Sequence, residues 1–308
     1  MSKCVSLLNK LQIDPSAISQ KLEAFIMDKC GELKRDGVLL GLSGGVDSAV
    51  VAALCSRALG KEKVFALIMS EQDSDPKSES DSLLIAKQLG ISVKVRNLSP
   101  ILNKIGSYHW APFRFIPSAL SAKLIRKGYK YHWKKAHKSP FADSLNGFQG
   151  KKHSLFLRRG NAYYRLKHRM RMVEFYLRAE LENRLVVGSA NKSEWLIGFF
   201  VKFGCDHAAD IMPLLDLYKT QVYQLACYLD IPLQIIKKPP SPDILPGITD
   251  AFALGMPYKQ LDLILIGLES GITPDKLAHE LNIKPNVIEE VSELKEASEH
   301  MRKVFSTS

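Results

Sequence analysis

Residues 37–60 read Gly-Val-Leu-Leu-Gly-Leu-Ser-Gly-Gly-Val-Asp-Ser-Ala-Val-Val-Ala-Ala-Leu-Cys-Ser-Arg-Ala-Leu-Gly. The apolar run Val38 to Leu42 has the length and branching of a buried strand. Ser43, Gly44 and Gly45 then permit a turn that larger side chains would obstruct. From Val46 onward, Val50, Val51, Leu54 and Leu59 recur at helical spacing, and Gly60 is placed to end the helix. A strand that feeds a Gly-rich turn at a helix N-terminus presents free backbone N–H groups and the positive end of a dipole. Such a turn binds anions, most naturally phosphate.

Asp47 sits at the mouth of this positive turn, where a carboxylate makes sense as a Mg²⁺ ligand beside a polyphosphate. The Gly-x4-Gly-Lys-Ser/Thr spacing of a Walker loop is absent, and so is Gly-x-Gly-x-x-Gly. The Ser-Gly-Gly-Val-Asp-Ser stretch resembles the pyrophosphate loop of ATP-pyrophosphatases, a class that splits ATP to AMP and pyrophosphate while adenylating a substrate. Without that resemblance, the turn is a Gly-rich βα connection of a kind any doubly wound fold can hold.

Outward from this loop the pattern repeats. Asp14-Pro15-Ser16 predicts a helix start, with Asp14 as N-cap and Pro15 in the first turn, running to about Cys30. Val64 to Met69 reads as a second strand, residues 70–80 as a polar loop, Asp81 to Leu89 as a helix closed by Gly90, and Ile91 to Arg96 as a third strand. Leu185 to Val187 reads as a fourth. Strands alternating with helices at this spacing imply right-handed crossovers, and hence an α/β, doubly wound parallel sheet with helices on both faces. Ligands of such sheets sit over the strands' carboxyl ends, where residues 43–48, 70–80 and 188–194 fall. Lys219 opens an amphipathic helix, residues 237–243 are Pro-rich and read as a rigid loop, and Tyr258 to Leu268, Thr273 to Leu281 and a polar segment around His300 read as helices.

Composition bounds the rest. With 308 residues, 46% hydrophobic and 24% charged, the chain has the make-up of a soluble globular protein able to bury a substantial core. No apolar stretch approaches the roughly 20 residues of a membrane helix, and the N-terminus has no continuous apolar signal region; a cytoplasmic protein without membrane partners is expected. The five cysteines are scattered, with no Cys-x-x-Cys pair, which argues against a disulfide framework or a zinc site. Cys30, Cys55 and Cys227 lie in helical patterns and are expected in the core.

The net charge of +11 is unevenly spread: residues 103–173 hold 17 Lys or Arg against one acid, Asp143, so the remainder is mildly acidic. Within that region, residues 98–160 break the α/β pattern, and regular order is expected again from Arg169. Aromatic residues such as Tyr108, Trp110, Phe113, Phe115, Tyr129 and Trp133 alternate there with Lys123, Arg126, Lys127, Lys130 and Lys134. A nucleic-acid surface would use such residues for phosphate contacts and stacking. The alternative is a mobile lid beside the site. No strand carries an RNA-recognition signature, so the lid is the preferred reading and nucleic acid is not the expected partner.

Taken together, Ser-Gly-Gly-Val-Asp-Ser, Asn-Lys-Ser-Glu (191–194), Asp-Leu-Tyr-Lys-Thr-Gln-Val (216–222) and Lys-Pro-Pro-Ser-Pro-Asp (238–243) resemble the NAD synthetase family, in a form without a glutaminase domain. The resemblance covers residues 14–97 and 165–303. It implies a single domain over 1–308 with a basic insertion at about 100–162. It also implies an ammonia-dependent ligase that adenylates deamido-NAD with ATP and then admits ammonia, giving NAD, AMP and pyrophosphate.

By position, the resemblance assigns Gly41, Leu42, Ser43, Gly44, Gly45, Val46, Asp47 and Ser48 to the ATP phosphates, with Ser189, Lys219 and Ser241 completing the ATP site. Asp47 and Glu194 become Mg²⁺ ligands, and Asp47 and Lys219 the catalytic pair. Arg169, Lys202, Asp210 and His300 become the deamido-NAD residues. A homodimer with substrate at the subunit interface is implied, with ammonia free or supplied by a separate glutaminase. The chain departs from the family pattern at Cys205 and His207, which lengthen a Gly-Asp-Gly stretch, at Ile248 and Ala251, and at Met301. Most departures fall on the acceptor side. Two other readings fit the loop alone: an RNA-modifying ATP-pyrophosphatase, motivated by the basic segment, and a nucleotide-binding regulator that has lost catalysis.

Overall fold

The computed structural model describes residues 7–110, 118–136, 138–150, 154–241 and 248–304. Phe113, Phe115, Pro242 and Asp243 lie outside the described residues. The first half of the fold runs α1 (Pro15–Glu32), β1 (Gly37–Gly41), α2 (Val46–Leu59), β2 (Val64–Ile68), α3 (Pro76–Leu89), β3 (Ser92–Val95) and α4 (Ser99–Lys104). The basic region supplies α5 (Ser118–Ala136), α6 (Pro140–Leu145) and α7 (Ser154–Leu181), which leads into β4 (Arg184–Val187). There follow α8 (Lys192–Ile197), α9 (Lys219–Tyr228), α10 (Leu233–Ile236), α11 (Asp250–Leu254), α12 (Tyr258–Glu269), α13 (Pro274–Leu281), α14 (Pro285–Ala297) and α15 (Glu299–Arg302).

The strands form one parallel sheet in the order β3-β2-β1-β4, with Val38 opposite Val64 on one side and Leu185 on the other. Side chains alternate across a strand, and β1 shows the consequence. Val38 and Leu40 pack into a cluster with Ile26, Val50, Leu54, Val222 and Leu225 from α1, α2 and α9. Leu39, between them, joins Leu67, Tyr163, Phe175 and Val186 on the face covered by α7. Both faces of the central strand are thus dry, which is why it reads as a continuous apolar run. A separate cluster of Leu254, Leu261, Ile264, Leu265, Leu277, Ile288 and Val291 holds the C-terminal helices together.

Helix starts follow local chemistry. Asp14 accepts hydrogen bonds from the amides of Ser16 (3.0 Å) and Ala17 (3.2 Å), as its N-cap position requires. Asp75 does the same for Lys77 (2.9 Å), so α3 begins at Pro76, five residues before the expected Asp81, and the loop after β2 is correspondingly shorter than the sequence suggests. The larger correction concerns the basic region. The described residues of 98–160 are largely helical: α4, α5 and α6 lie among them, and α7 begins at Ser154, fifteen residues before Arg169. Gly128 and Gly160 interrupt the periodicity of α5 and α7, but a Cβ at either would meet nothing within 4 Å. Each lowers helix propensity by about 1 kcal/mol, an amount that tertiary packing overrides. Cys227 is a second correction. It lies on the exposed face of α9, whereas Cys30 and Cys55 are buried as expected.

Candidate active site

The loop after β1 is stiffened from within. Ser48 Oγ donates to Gly45 O (3.1 Å) and accepts from Ser43 N (3.2 Å), folding the turn back onto the first turn of α2. Gly44 has φ +72° and passes so near α3 that a Cβ would lie 2.6 Å from Ser78 O; only glycine fits both demands. Gly45 caps α2 without a side chain. The amides of the first turn, which no helical carbonyl can satisfy, are therefore not blocked by a cap. Gly41–Ser48, apart from Gly44, line an open cavity of about 800 Å³ above the sheet's carboxyl edge. Ser189, Glu194, Lys219 and Ser241 line the same cavity.

Three elements bring charge together there. Lys219, at the start of α9, is 2% exposed; its ammonium pairs with Asp47 of α2 and lies 3.1 Å from Glu194 Oε1 of α8. The N-terminus of α9 is fixed by buried Asp262, which accepts from Thr220 N (2.8 Å) and from Ser193 Oγ (2.5 Å), while Ser193 Oγ accepts from Lys219 N (2.8 Å). Asn191 caps α8 through Glu194 N (3.1 Å) and donates from Nδ2 to Asp47 Oδ1 (3.1 Å). The Tyr258 hydroxyl lies 2.9 Å from Asp250 Oδ2 and 3.2 Å from Glu194 Oε1, so its single proton serves two carboxylates.

Around Lys219 the carboxylates Asp47, Glu194 and Asp250 outnumber the cation. Burial first, and then the Asp47 and Asp250 charges, push Glu194 up to about 7 despite the opposing pull of Lys219. Burial raises Asp250 as well, again against Lys219. Burial works against the Lys219 ammonium, but Asp47, Glu194 and Asp250 outweigh it and hold that ammonium well above the usual lysine range. Asp250 Oδ1 is buried and without a hydrogen-bond partner.

Sequence reasoning did not single out Asn191, Asp250 or Tyr258 as site residues. Asn191 carried a signal as the first residue of the Asn-Lys-Ser-Glu stretch, and Asp250 as the acid kept between two altered positions. Tyr258 carried none, being one residue of an apolar helical pattern. Lys238 was quoted only within its motif. It pairs with Asp81 Oδ2 (2.9 Å) and pins the Pro-rich loop to α3.

Among the residues assigned to the second substrate, Arg169, Lys202, Asp210 and His300 do not line this cavity. Arg169 donates to Lys202 O (3.3 Å), and Lys202 Nζ donates to the carbonyls of His300 (2.8 Å) and Lys303 (2.6 Å), so three of them meet at the C-terminus. Asp210 stands apart: its carboxylate accepts from Val186 N (2.8 Å) and from the Tyr176 hydroxyl (3.1 Å), supporting the sheet.

A phosphate-type loop at the edge of a doubly wound sheet, with buried lysine and carboxylates converging from other elements, defines a nucleotide-dependent α/β enzyme. A family model for NAD synthase matches residues 18–139 and 124–305. The NH₃-dependent NAD⁺ synthetase of Thermotoga neapolitana is 42% identical over 288 residues, 94% of each chain. The NMN synthetase of Francisella tularensis superposes with a TM-score of 0.71 at 26% identity, covering 96% of this chain and 99% of that one. The NH₃-dependent NAD synthetase of Campylobacter jejuni, solved with a nitrate ion, gives 0.67 at 27% identity, covering 96% and 100%. The chain belongs to the NAD synthase family, whose members are carbon–nitrogen ligases.

Proposed function

We propose that the cavity is where ATP activates the nicotinate carboxylate of deamido-NAD, before ammonia converts the activated acid to NAD. The observation that carries this reading is the meeting of Asp47, Glu194 and Lys219, from three separate elements, at the wall formed by the Ser-Gly-Gly-Val-Asp-Ser loop. In the first step a carboxylate oxygen attacks the α-phosphorus of ATP, the bond to the β-phosphate breaks, and pyrophosphate leaves. The loop amides and Lys219 can take up the charge that builds on the departing group. In the second step ammonia attacks the acyl carbon and AMP leaves. Holding both nucleotides in one orientation supplies proximity.

Mg²⁺ fits the donors present. Asp47 and Glu194 offer only oxygen, the donor a hard cation prefers, and a divalent ion would offset both the burial and the neighbouring Asp47 and Asp250 charges that raise Glu194. When bound there, Mg²⁺ would neutralise phosphate oxygens during displacement.

Arg169, Lys202 and His300 are proposed to bind deamido-NAD outside the ATP cavity, and Asp210 to bind it through the sheet edge it supports. A homodimer that completes this face, one domain over 1–308 and ammonia supplied freely or by a separate glutaminase go with that reading. Among the described residues no helix is long and apolar enough to cross a membrane.

The basic region is proposed to act as a cover. Ala122 and Arg126 of α5 line the cavity. The helix is also docked on α11: Arg126 lies over the Phe252 ring at 4.8 Å, and Tyr129 Oη donates to Ala253 O at 3.0 Å. Purified protein given deamido-NAD, ATP, Mg²⁺ and ammonium should form NAD and AMP. Failure of Asp47→Ala and Glu194→Ala to lower that turnover would remove the assignment.

A further inference from the structure

On the α7 side of the cavity, the fold brings His168 of α7 against two further metal-type donors, the adjacent Cys205 and Asp206, 37 residues further along the chain. His168 Nδ1 lies 2.7 Å from Asp206 Oδ2 and 3.3 Å from Cys205 Sγ, and Cys205 Sγ lies 3.4 Å from Asp206 Oδ1. All three residues line the cavity, and His168 is only 6% exposed. We propose that His168, Cys205 and Asp206 form a binding site for a borderline-soft divalent ion of the Zn²⁺ class, distinct from the oxygen-only pair Asp47 and Glu194.

The donor spacing supports this. Tetrahedral Zn²⁺ with bonds of about 2.3 Å to sulfur and 2.0–2.1 Å to nitrogen or oxygen separates its ligand atoms by about 3.3–3.6 Å. Cys205 Sγ lies at that spacing from both His168 Nδ1 (3.3 Å) and Asp206 Oδ1 (3.4 Å), and the hydrogen bond from His168 Nδ1 to the other carboxylate oxygen, Oδ2, must open for an ion to enter. The donor types discriminate as well. One imidazole, one thiol and one carboxylate suit Zn²⁺ and related transition ions, whereas Mg²⁺ favours oxygen.

The protons balance. Binding releases the thiol proton of Cys205 to solvent and leaves a thiolate–metal bond. The proton on His168 Nδ1 moves to Nε2, which is buried and has no hydrogen-bond partner; the shift gives up the hydrogen bond from Nδ1 to Asp206, which the two bonds to the metal replace. Arg171 is a neighbouring cation that acts on both Cys205 and Asp206 and opposes a further positive charge. Thiolate plus carboxylate carry two negative charges and cancel those of the ion. Three protein ligands leave a fourth position for a small ligand from the cavity, as in open zinc sites.

Co²⁺ is the spectroscopic probe, titrated into the full chain with Mg²⁺ in excess to fill the oxygen site. One equivalent should produce a thiolate-to-cobalt charge-transfer band that Zn²⁺ displaces. Cys205→Ser, a near-isosteric change, should abolish the band, and His168→Ala should weaken binding at least about tenfold. A Cys4→Ser, Cys227→Ser double variant should keep it. Thermal melting of each variant without metal shows that it folds, and Asp206→Asn replaces His168→Ala if that variant does not. A wild-type chain with no band, or a band that persists in Cys205→Ser, overturns the proposal.

Discussion

Lys219 Nζ stands 3.1 Å from Glu194 Oε1, with Asp47 bound to the same ammonium and Asp250 held one hydroxyl away through Tyr258. One buried cation thus serves several carboxylates. Lys219→Met should lower turnover by roughly 10²–10³, the range for loss of a group that stabilises transition-state charge. It should also destabilise the fold by about 3–5 kcal/mol, because the carboxylates lose their buried partner. Added Mg²⁺ should raise the melting temperature of this variant more than that of the wild type. Turnover within a factor of about three of wild type, less than the loss of even one charge-assisted hydrogen bond would cause, would remove Lys219 from the machinery.

Burial, together with the same crowding, sets a pH dependence. Glu194 titrates near 4.5 when unperturbed and at about 7 in the fold. Between those values the folded protein keeps a proton that the unfolded chain has lost, so this residue's contribution to stability falls as pH rises through that window. Chemical denaturation of the Mg²⁺-free protein at pH 4.5, 6 and 7.5 should show the decline, and Glu194→Gln should flatten it. An unchanged slope in that variant would mean that Glu194 is not the group responsible.

A second buried lysine tests the scaffold without touching the carboxylates of the phosphate site. Lys167 on α7 is 0% exposed and binds Glu71 Oε1 (2.9 Å) and Asp73 Oδ2 (2.5 Å), on the loop after β2. The Tyr108 hydroxyl donates to Glu71 Oε2 (2.9 Å), and Tyr163 donates to Asp73. Lys167→Met would leave Glu71 buried and uncompensated, at a cost of about 3–5 kcal/mol. A triple change that also replaces Glu71 and Asp73 by Gln and Asn should recover most of the loss. Equal melting temperatures for wild type and Lys167→Met would contradict this account.

The parts of the fold that could be read in advance are those where local chemistry and tertiary role agree. The run Val38–Leu42 is apolar because both sheet faces are covered, and Gly44 has no side chain because α3 passes close by. The basic region could not be read in this way. In α5, Lys and aromatic residues alternate around Gly128, and the helix is held by Tyr129 and Trp133 against α11, contacts that no window of sequence contains. The site divides similarly. Asp47, Glu194 and Lys219 lay in quoted motifs and do converge. Lys167, His168 and Asp206 acquire partners only when α7 crosses the sheet's carboxyl edge.

Docking of the basic region makes its own prediction. Gly255 has φ +78°, and a Cβ there would meet the Trp133 ring at 2.2 Å. Gly255→Ala and Trp133→Ala should each loosen α5, seen as faster proteolysis within residues 118–136. They should raise the apparent KM for deamido-NAD more than that for ATP. Unchanged kinetics in both variants would show that α5 is not a cover for the second substrate.

The acceptor is the central claim, and one assay decides it. Purified protein is given ATP, Mg²⁺ and ammonium with deamido-NAD, and in parallel with the corresponding deamidated mononucleotide, while AMP and the amidated product are measured. The account predicts NAD and AMP formed in equal amounts, with deamido-NAD preferred as acceptor and turnover abolished in Asp47→Ala. ATP converted to AMP only with another acceptor, and no NAD formed, would contradict it.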